Sequence, residues 1–127
     1  VQVTTTPPRQ GGAGAPPALL PQASHRVTSY GVDGFYGSPL DTLLRTLGRD
    51  QLLLAGAWLE TSVHSTMRSA NDRGLECLLV LDACTAYDAA LVAASRSQIE
   101  MSGGIFGAVG DSAAVIEAIP APERNSA

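Results

Sequence analysis

The chain has 127 residues, of which 45% are hydrophobic and 16% charged, and its formal net charge is −4 at pH 7. This length allows one domain at most, and the composition is that of a globular protein rather than a disordered chain. The negative charge argues against a nucleic-acid or anionic-membrane partner, because either needs a basic patch. All eight cationic side chains are arginine, so no lysine is present for any chemistry.

The amino-terminal 24 residues hold five of the eight prolines and three glycines. Such a segment buries too little apolar surface to offset its ordering entropy, so we predict a flexible arm over 1–24. The tail 120–127, PAPERNSA, is predicted to be disordered for the same reason, which leaves a folded domain at 25–119. We recognise no signal peptide, and no apolar run approaches the ~20 residues of a membrane span.

The first predicted element of the folded part is a helix in GSPLDTLLRTLGRD. Ser38 is the expected N-cap, Pro39 the first helical residue and Gly48 the residue that ends the helix. The apolar run QLLLAGA at 51–57 then predicts a strand covered on both faces. A second helix follows over about 60–73.

The rest of the chain repeats this alternation of strand and helix. A second buried strand is predicted at 76–82, then a helix through AYDAALVAASRSQIEM and a short strand in GGIFGAVG. Asp111 is the expected N-cap of the last helix. Alternating strands and helices with short links predict an α/β fold with a parallel sheet and right-handed crossovers.

The two cysteines, Cys77 and Cys84, stand at the two ends of the predicted second strand. Seven residues of strand span roughly 23 Å, whereas a disulfide needs Cα atoms about 4.4–6.8 Å apart. The two thiols therefore cannot pair with each other. This indicates reduced cysteines and a cytoplasmic location rather than a disulfide-stabilised secreted scaffold.

The stretch LLLAGAWLETSVHSTMRSANDRG, residues 52–74, places Ser62 in the first turn of a helix that follows a buried strand. An α/β hydrolase often carries its nucleophile at such a position. Together with DGFYGSPL before it, and with LLVLDACTAYD and GGIFGAVG after it, this stretch resembles the second half of the isochorismatase-like cysteine hydrolases. The resemblance covers about 27–119 and is strongest to the branch that acts on biuret, ureidoacrylate and related carbamoyl compounds.

The resemblance implies a three-layer α/β/α domain around a six-stranded parallel sheet. The sequence itself contains no metal-ligand constellation and no phosphate-binding loop, so we expect no metal and no cofactor. The resemblance also implies an Asp–Lys–Cys triad in which the cysteine attacks an amide carbonyl and water then cleaves the thioester. A thiol suits a helix N-terminus, because the helix dipole supplies up to ~2 kcal/mol and half-ionisation at pH 7 requires about that much.

This sequence departs from the implied triad at each position. Ser62 stands in the cysteine position and Ser29 in the lysine position. The aspartate belongs to an earlier strand, and Asp82 comes too late in the chain to replace it. The first strands of the family domain, including the central one, are therefore expected to be absent.

Ser62 has no evident base to activate it. A serine nucleophile needs a neighbouring base, because the helix dipole alone falls far short for an aliphatic hydroxyl. His64 lies two residues further along the same helix and is expected to point to a different face. A plain first-turn serine without chemistry is the alternative interpretation.

Other site residues are implied by the resemblance. The amides of Trp58 and Ser62 would form an oxyanion hole beside a cis Ala57–Trp58 bond. Phe35, Tyr36 and Trp58 would line a substrate pocket, although aromatic residues beside a glycine turn are also typical of a core. Glu60, His64 and Arg68 share one helix stripe by their spacing, which favours an exposed salt-linked face or a subunit contact.

Two functions remain open on the sequence alone. The first is a hydrolase domain that cleaves amide C–N bonds in small molecules but is inactive as this chain alone. The second is a non-catalytic pseudoenzyme that assembles with an active homologue. Because the strand at 51–57 would expose an apolar edge, we expect a homo-oligomer or a complementing chain to cover it.

Overall fold

The computed structural model describes residues 1–5 and 21–120. Within these residues, five strands form two parallel sheets of order β1–β2 and β3–β4–β5. The strands are β1 Gln2–Thr5, β2 Arg26–Ser29, β3 Gln51–Ala57, β4 Glu76–Thr85 and β5 Ala108–Gly110. The helices are α1 Leu40–Thr46, α2 His64–Asp72, α3 Val92–Gly104 and α4 Ser112–Ala118, with a π-helical turn at Leu59–Val63 and a 3₁₀ turn at Ala89–Leu91. The predicted α/β fold is confirmed.

The amino terminus is the main correction to the sequence analysis. Gln2–Thr5 is not part of an arm: it pairs in parallel with Arg26–Ser29, from Gln2 opposite Arg26 to Thr5 opposite Ser29. Valine and threonine are β-branched and favour extended backbone, which is the physical reason for this strand. The domain therefore begins before the expected residue 25. The remainder of the predicted arm at 6–20 and the tail at 121–127 lie outside the described residues.

The three-stranded sheet contains most of the predicted strands. β4 lies between β3 and β5, and Leu79 at its centre is completely buried. β3 was expected to be covered on both faces, and this expectation is wrong, since the Leu53 side chain is 54% exposed. In the part of the chain that the structure describes, β3 is an edge strand that pairs with a neighbour on one side, so its apolar surface is incompletely covered.

The helix ends follow local capping rules. The Ser38 hydroxyl accepts a hydrogen bond from the Leu40 amide at 3.2 Å, although Pro39 rather than Ser38 occupies the N-cap position of α1. Gly48 ends this helix with φ +64°, a left-handed conformation that favours glycine. The predicted N-cap of α4 is confirmed, because Asp111 Oδ1 accepts from the Ala114 amide at 2.7 Å.

The core lies where α2 packs against β4 and where α3 packs against β5 and the Leu59–Val63 turn. Its buried members come mainly from these elements: Val27, Phe35, Leu40, Leu44, Leu59, Val63, Met67, Ala70, Leu75, Cys77, Leu79 and Ile99. β1 and β3 add only half-buried side chains. The core is thus centred on β4 and thins toward β3 and β1. Among the described residues, no helix combines the length and the apolarity that crossing a bilayer needs.

Candidate functional site

The turn that carries Ser62 begins where β3 ends. The Ala57–Trp58 peptide bond is cis, as the resemblance implied. The Trp58 carbonyl then accepts hydrogen bonds from the amides of Thr61 and Val63, each at 3.2 Å. The Ser62 amide between them is not one of its donors. Leu59, which is 1% exposed, anchors this π-helical turn in the core before α2 continues it. Ser62 is therefore held at the carboxyl end of a parallel strand, in the first turns of a helix.

The Ser62 hydroxyl contacts a residue that the sequence analysis had assigned to the arm. Thr5 Oγ1 lies 3.0 Å from Ser62 Oγ, and either oxygen can be the donor. Thr5 is also the register partner of Ser29 at the end of the β1–β2 pair. Both predicted triad positions, Ser29 and Ser62, thus neighbour the same residue. The β-branched run VTTT was the one signal that could have identified Thr5.

Ser29 is completely buried and its hydroxyl shapes the turn after β2. Its Oγ accepts from the Gly31 amide at 3.2 Å and lies within hydrogen-bond distance of the carbonyl oxygens of Gly31, at 3.2 Å, and Asp33, at 2.5 Å. These are neutral backbone partners of a serine that stabilises a turn. Ser29 thus supplies structure at this position and no cation.

The aromatic residues divide between the core and the surface. Phe35 is 4% exposed and lies under the Arg73 guanidinium, 4.5 Å from the ring centroid, so the structure places it in the core rather than in a pocket wall. Tyr36 and Trp58 are exposed, at 64% and 43%. The Trp58 ring meets Tyr87 edge to face, with centroids 5.5 Å apart. Sequence reasoning missed Tyr87.

The stripe of Glu60, His64 and Arg68 differs from the expected salt-linked surface. Glu60 Oε1 accepts from the Asp88 amide at 2.8 Å, which ties the loop that carries Tyr87 to the Ser62 turn. His64 is 8% exposed, and its Nδ1 accepts from Arg68 Nε at 3.1 Å. Burial, and then the Arg68 charge, lower the pKa of His64. The expectation of an exposed, salt-linked stripe is wrong, because the imidazole packs inside as a neutral group.

The remaining nucleophiles are not activated. Both cysteines are free, as predicted. Burial raises the pKa of Cys77 to about 11, and burial likewise raises the pKa of Cys84. Within residues 1–5 and 21–120, no three His, Cys, Asp or Glu side chains come together as a metal ion would need. The Ser62 turn is thus the candidate site in this part of the chain.

The geometry defines a parallel α/β domain with its candidate site at the carboxyl edge of the strands, the usual place for ligands in this architecture. The isochorismatase domain matches the chain over residues 2–114, and the chain belongs to this family. The match includes β1 and so extends the resemblance beyond its expected start at residue 27.

Individual relatives agree with this assignment. An uncharacterized isochorismatase family protein, YwoC from Bacillus subtilis (strain 168), is 32% identical over 92 residues, which cover 65% of this chain and 49% of YwoC. The chain thus spans about half the length of this curated relative. An isochorismatase-like hydrolase from Alkaliphilus metalliredigens superposes with a TM-score of 0.76 at 20% identity, covering 91% of this chain and 69% of that one. N-carbamoylsarcosine amidase from Thermoplasma acidophilum gives 0.58 at 24% identity, with 68% and 47% covered.

Proposed function

We propose that this chain is an isochorismatase-like hydrolase domain of the type that cleaves amide C–N bonds in small carbamoyl compounds, and that it is inactive as this chain alone. The observation that carries the proposal is the setting of Ser62. It stands in the first turns of a helix at the carboxyl end of β3, where a nucleophile is expected, yet the hydrogen-bond partner of its hydroxyl among the described residues is the neutral Thr5 hydroxyl. The site has the placement of a catalytic nucleophile without the groups that would activate one.

Inactivity follows from the chemistry of an aliphatic hydroxyl. Serine acts as a nucleophile when an adjacent base removes its proton. Thr5 and Ser29 are not bases, and the Ser29 hydroxyl accepts from the Gly31 amide in its own turn. His64 Nδ1 accepts from Arg68. A cysteine at position 62 would need far less help, because a thiol ionises near neutral pH and a helix N-terminus lowers its pKa further.

The amide-directed branch rests on the sequence resemblance and on the amidase among the structural relatives. An oxyanion needs amide donors, and the proposed donors are the amides of Trp58 and Ser62 at the two ends of the turn. Tyr36 and Trp58 form the proposed substrate-facing aromatic surface, with Tyr87 added by its contact with Trp58. Phe35 is buried in the core and is not part of this surface. We place the protein in the cytoplasm and assign it no cofactor.

The test restores two of the three missing triad groups, the cysteine and the lysine, in the full chain. Ammonia release from biuret and ureidoacrylate is measured for the wild-type chain and for the double variant Ser62→Cys, Ser29→Lys. We expect no release above background from the wild type and measurable release from the double variant. Turnover by the wild type would contradict inactivity.

A second readout separates the geometry of the site from its activity. The rate of iodoacetamide alkylation against pH reports the pKa of the introduced thiol. Ser97→Cys is the matched control, because Ser97 is exposed in the middle of α3. We expect the thiol at position 62 to ionise about one pH unit below the control. Equal pKa values would mean that the turn does not create a nucleophile site.

The second candidate, a non-catalytic subunit that assembles with an active homologue, is favoured by the exposed apolar residues of β3. A folded double variant with a lowered thiol pKa but no ammonia release would support this candidate over the first.

A further inference from the structure

The strongest unassigned feature is a pair of exposed aromatic rings beside the Ser62 turn. Trp58 follows β3 and is 43% exposed, while Tyr87 follows β4 and is 80% exposed. Their rings are nearly perpendicular, at 86°, with centroids 5.5 Å apart. The two rings therefore enclose an open corner at the carboxyl edge of the sheet, which we call the aromatic corner.

One carboxylate joins the two segments that carry these rings. Glu60 lies two residues after Trp58, and its Oε1 accepts a hydrogen bond at 2.8 Å from the amide of Asp88, the residue after Tyr87. The Asp88 amide is also the largest cause that lowers the pKa of Glu60, so this side chain is anionic at neutral pH. A negative charge thus stands where the two ring-bearing segments meet.

This carboxylate lacks a cationic partner among the described residues. Its second oxygen, Oε2, is withdrawn from solvent and accepts no hydrogen bond from them. The salt bridges in the described part of the chain lie within α1 and within α3, so neither of them neutralises Glu60. A carboxylate oxygen that is shielded from water without a partner is unfavourable. A cation bound nearby would offset this cost.

The rings and the carboxylate attract the same class of ligand. An aromatic face carries negative potential, and tryptophan gives the strongest contact with a cation. The described residues offer no group of three His, Cys, Asp or Glu side chains for a metal ion, which favours an organic cation. Two perpendicular rings suit a rounded alkylated ammonium group, whose methyl groups contact ring faces and need no hydrogen-bond acceptor.

We propose that the aromatic corner binds a small alkylated ammonium group, with Trp58 and Tyr87 in contact with its methyl groups and Glu60 supplying the opposite charge. The formal net charge of −4 favours the approach of such a cation at long range. Binding at the corner does not require Ser62 to act as a nucleophile. The proposal is therefore independent of the function proposed above, and it can be measured on the wild-type chain.

Choline is the probe, and its matched control is the neutral alcohol in which a tert-butyl group replaces the trimethylammonium group. Trp58 is the only tryptophan of the chain, so its fluorescence reports on the corner directly. At constant ionic strength we expect choline to change Trp58 emission with saturation, and the neutral alcohol to bind at least about tenfold more weakly. Absence of saturation with choline, or equal binding of the alcohol, would overturn the proposal.

Two pairs of variants locate the binding. Tyr87→Leu removes one ring and is expected to weaken choline binding about threefold or more. Tyr30→Leu removes a similarly exposed ring from the turn after β2 and is expected to bind as the wild type does. Glu60→Gln removes the charge but keeps an acceptor for the Asp88 amide, and about a fivefold loss is expected. Glu117→Gln, at an exposed position of α4, is its control and is expected to cause no loss.

Equal effects within either pair of variants would place the binding elsewhere and overturn the proposal. Far-UV circular dichroism checks that each variant is folded. Because the Tyr87 side chain is 80% exposed, Tyr87→Leu is expected to keep the fold, so this pair decides the question even where Glu60→Gln loosens the loop. Ammonia release by the double variant without choline binding by the wild type would leave the proposed function standing and contradict the aromatic corner.

Discussion

β3 and β4 are similar in sequence and differ in environment. QLLLAGA and ECLLVLDACT are both near-continuous apolar runs, and they pair with each other in parallel. Leu79 in β4 is completely buried, whereas Leu53 in β3, opposite Leu78 in register, is 54% exposed. The difference lies in the number of neighbouring strands. Among residues 1–5 and 21–120, β4 pairs with both β3 and β5, whereas β3 pairs with β4 alone. The burial of an apolar strand thus depends on its position in the sheet, and the sequence of the strand alone does not determine that position.

The comparison divides the molecule into a closed side around β4 and an open side around β1 and β3. On the closed side, α2 and α3 supply Met67 and Ile99, each 1% exposed. On the open side, cavities replace a neighbouring strand. Since hydrophobic burial is the main favourable term in folding, the closed side should carry most of the stability.

The largest expected effect is a glycine replacement on the closed side. A Cβ at Gly107, whose φ is +131°, would lie 2.2 Å from the Cys77 carbonyl oxygen and 2.7 Å from Met67 Cε. Gly107→Ala is therefore expected to cost about 4 kcal/mol or more and to leave the chain largely unfolded. Circular dichroism during urea unfolding measures this loss.

Gly48→Ala is the matched control for that change. Gly48 also has a positive φ, +64°, but a Cβ there meets nothing within 4 Å. The expected cost is only the left-handed backbone penalty of about 1–2 kcal/mol. Similar losses in the two variants would show that backbone conformation, not packing against β4, governs the effect.

The next largest effect compares the two strands directly. Leu79→Ala removes a completely buried side chain and is expected to cost about 3 kcal/mol. Leu53→Ala removes an exposed one and is expected to change the free energy of unfolding by about 0.5 kcal/mol or less. Equilibrium urea unfolding measures both. A large loss for Leu53→Ala would mean that the open side is packed by something in solution.

The sequence predicts the elements with long, regular patterns and misses those that depend on distant partners. The helix caps at Gly48 and Asp111 and the strand at 51–57 follow from local chemistry, so they were predictable. β1 and β2 have four residues each, and each exists because the other pairs with it. The prolines that follow Thr5 favour a flexible arm, whereas the β-branched residues up to Thr5 favour a strand. The sequence analysis gave the prolines more weight and therefore predicts an arm where the structure has a strand.

The site shows the same division. The position of Ser62 and the cis bond before Trp58 followed from the resemblance. Thr5 is more than fifty residues away from Ser62 in sequence and reaches it through the pairing of β1 with β2. No local sequence pattern predicts that these two strands pair. The sequence analysis placed His64 on an exposed stripe because its spacing from Glu60 and Arg68 fits one face of an α-helix. The residues before it form a π-helical turn, so α-helical spacing does not predict which side of the helix His64 occupies, and its side chain is buried.

A smaller effect concerns pH. His64 Nδ1 accepts from Arg68 at 3.1 Å, so a proton added there would break this bond and place a second cation beside the guanidinium. The pKa of His64 is lowered in the folded state, mainly by burial. The unfolded chain therefore binds the proton first, and stability should fall as the pH drops below the ordinary value of about 6.5.

Urea unfolding between pH 7.5 and pH 5 isolates this effect, because carboxylates ordinarily titrate below that window. The His64→Gln variant is expected to show a flatter pH dependence than the wild type. His25→Gln removes the only other imidazole of the chain and is the matched comparison for the loss of one histidine. An unchanged slope in His64→Gln would show that His64 does not titrate differently on unfolding.

The smallest expected effect tests the contact that joins β1 to the Ser62 turn. Thr5→Val keeps the β-branched shape and removes the hydroxyl that lies 3.0 Å from Ser62 Oγ. A net hydrogen bond contributes about 0.5–1.5 kcal/mol, and the lower end is expected because water can replace a half-buried partner on the open side. Thr28→Val, at an exposed position of β2, is the matched control and should be nearly neutral. If Thr5→Val instead lost more than about 2 kcal/mol by urea unfolding, the hydroxyl pair would couple the two sheets tightly, and the open side would be as cooperative as the side around β4.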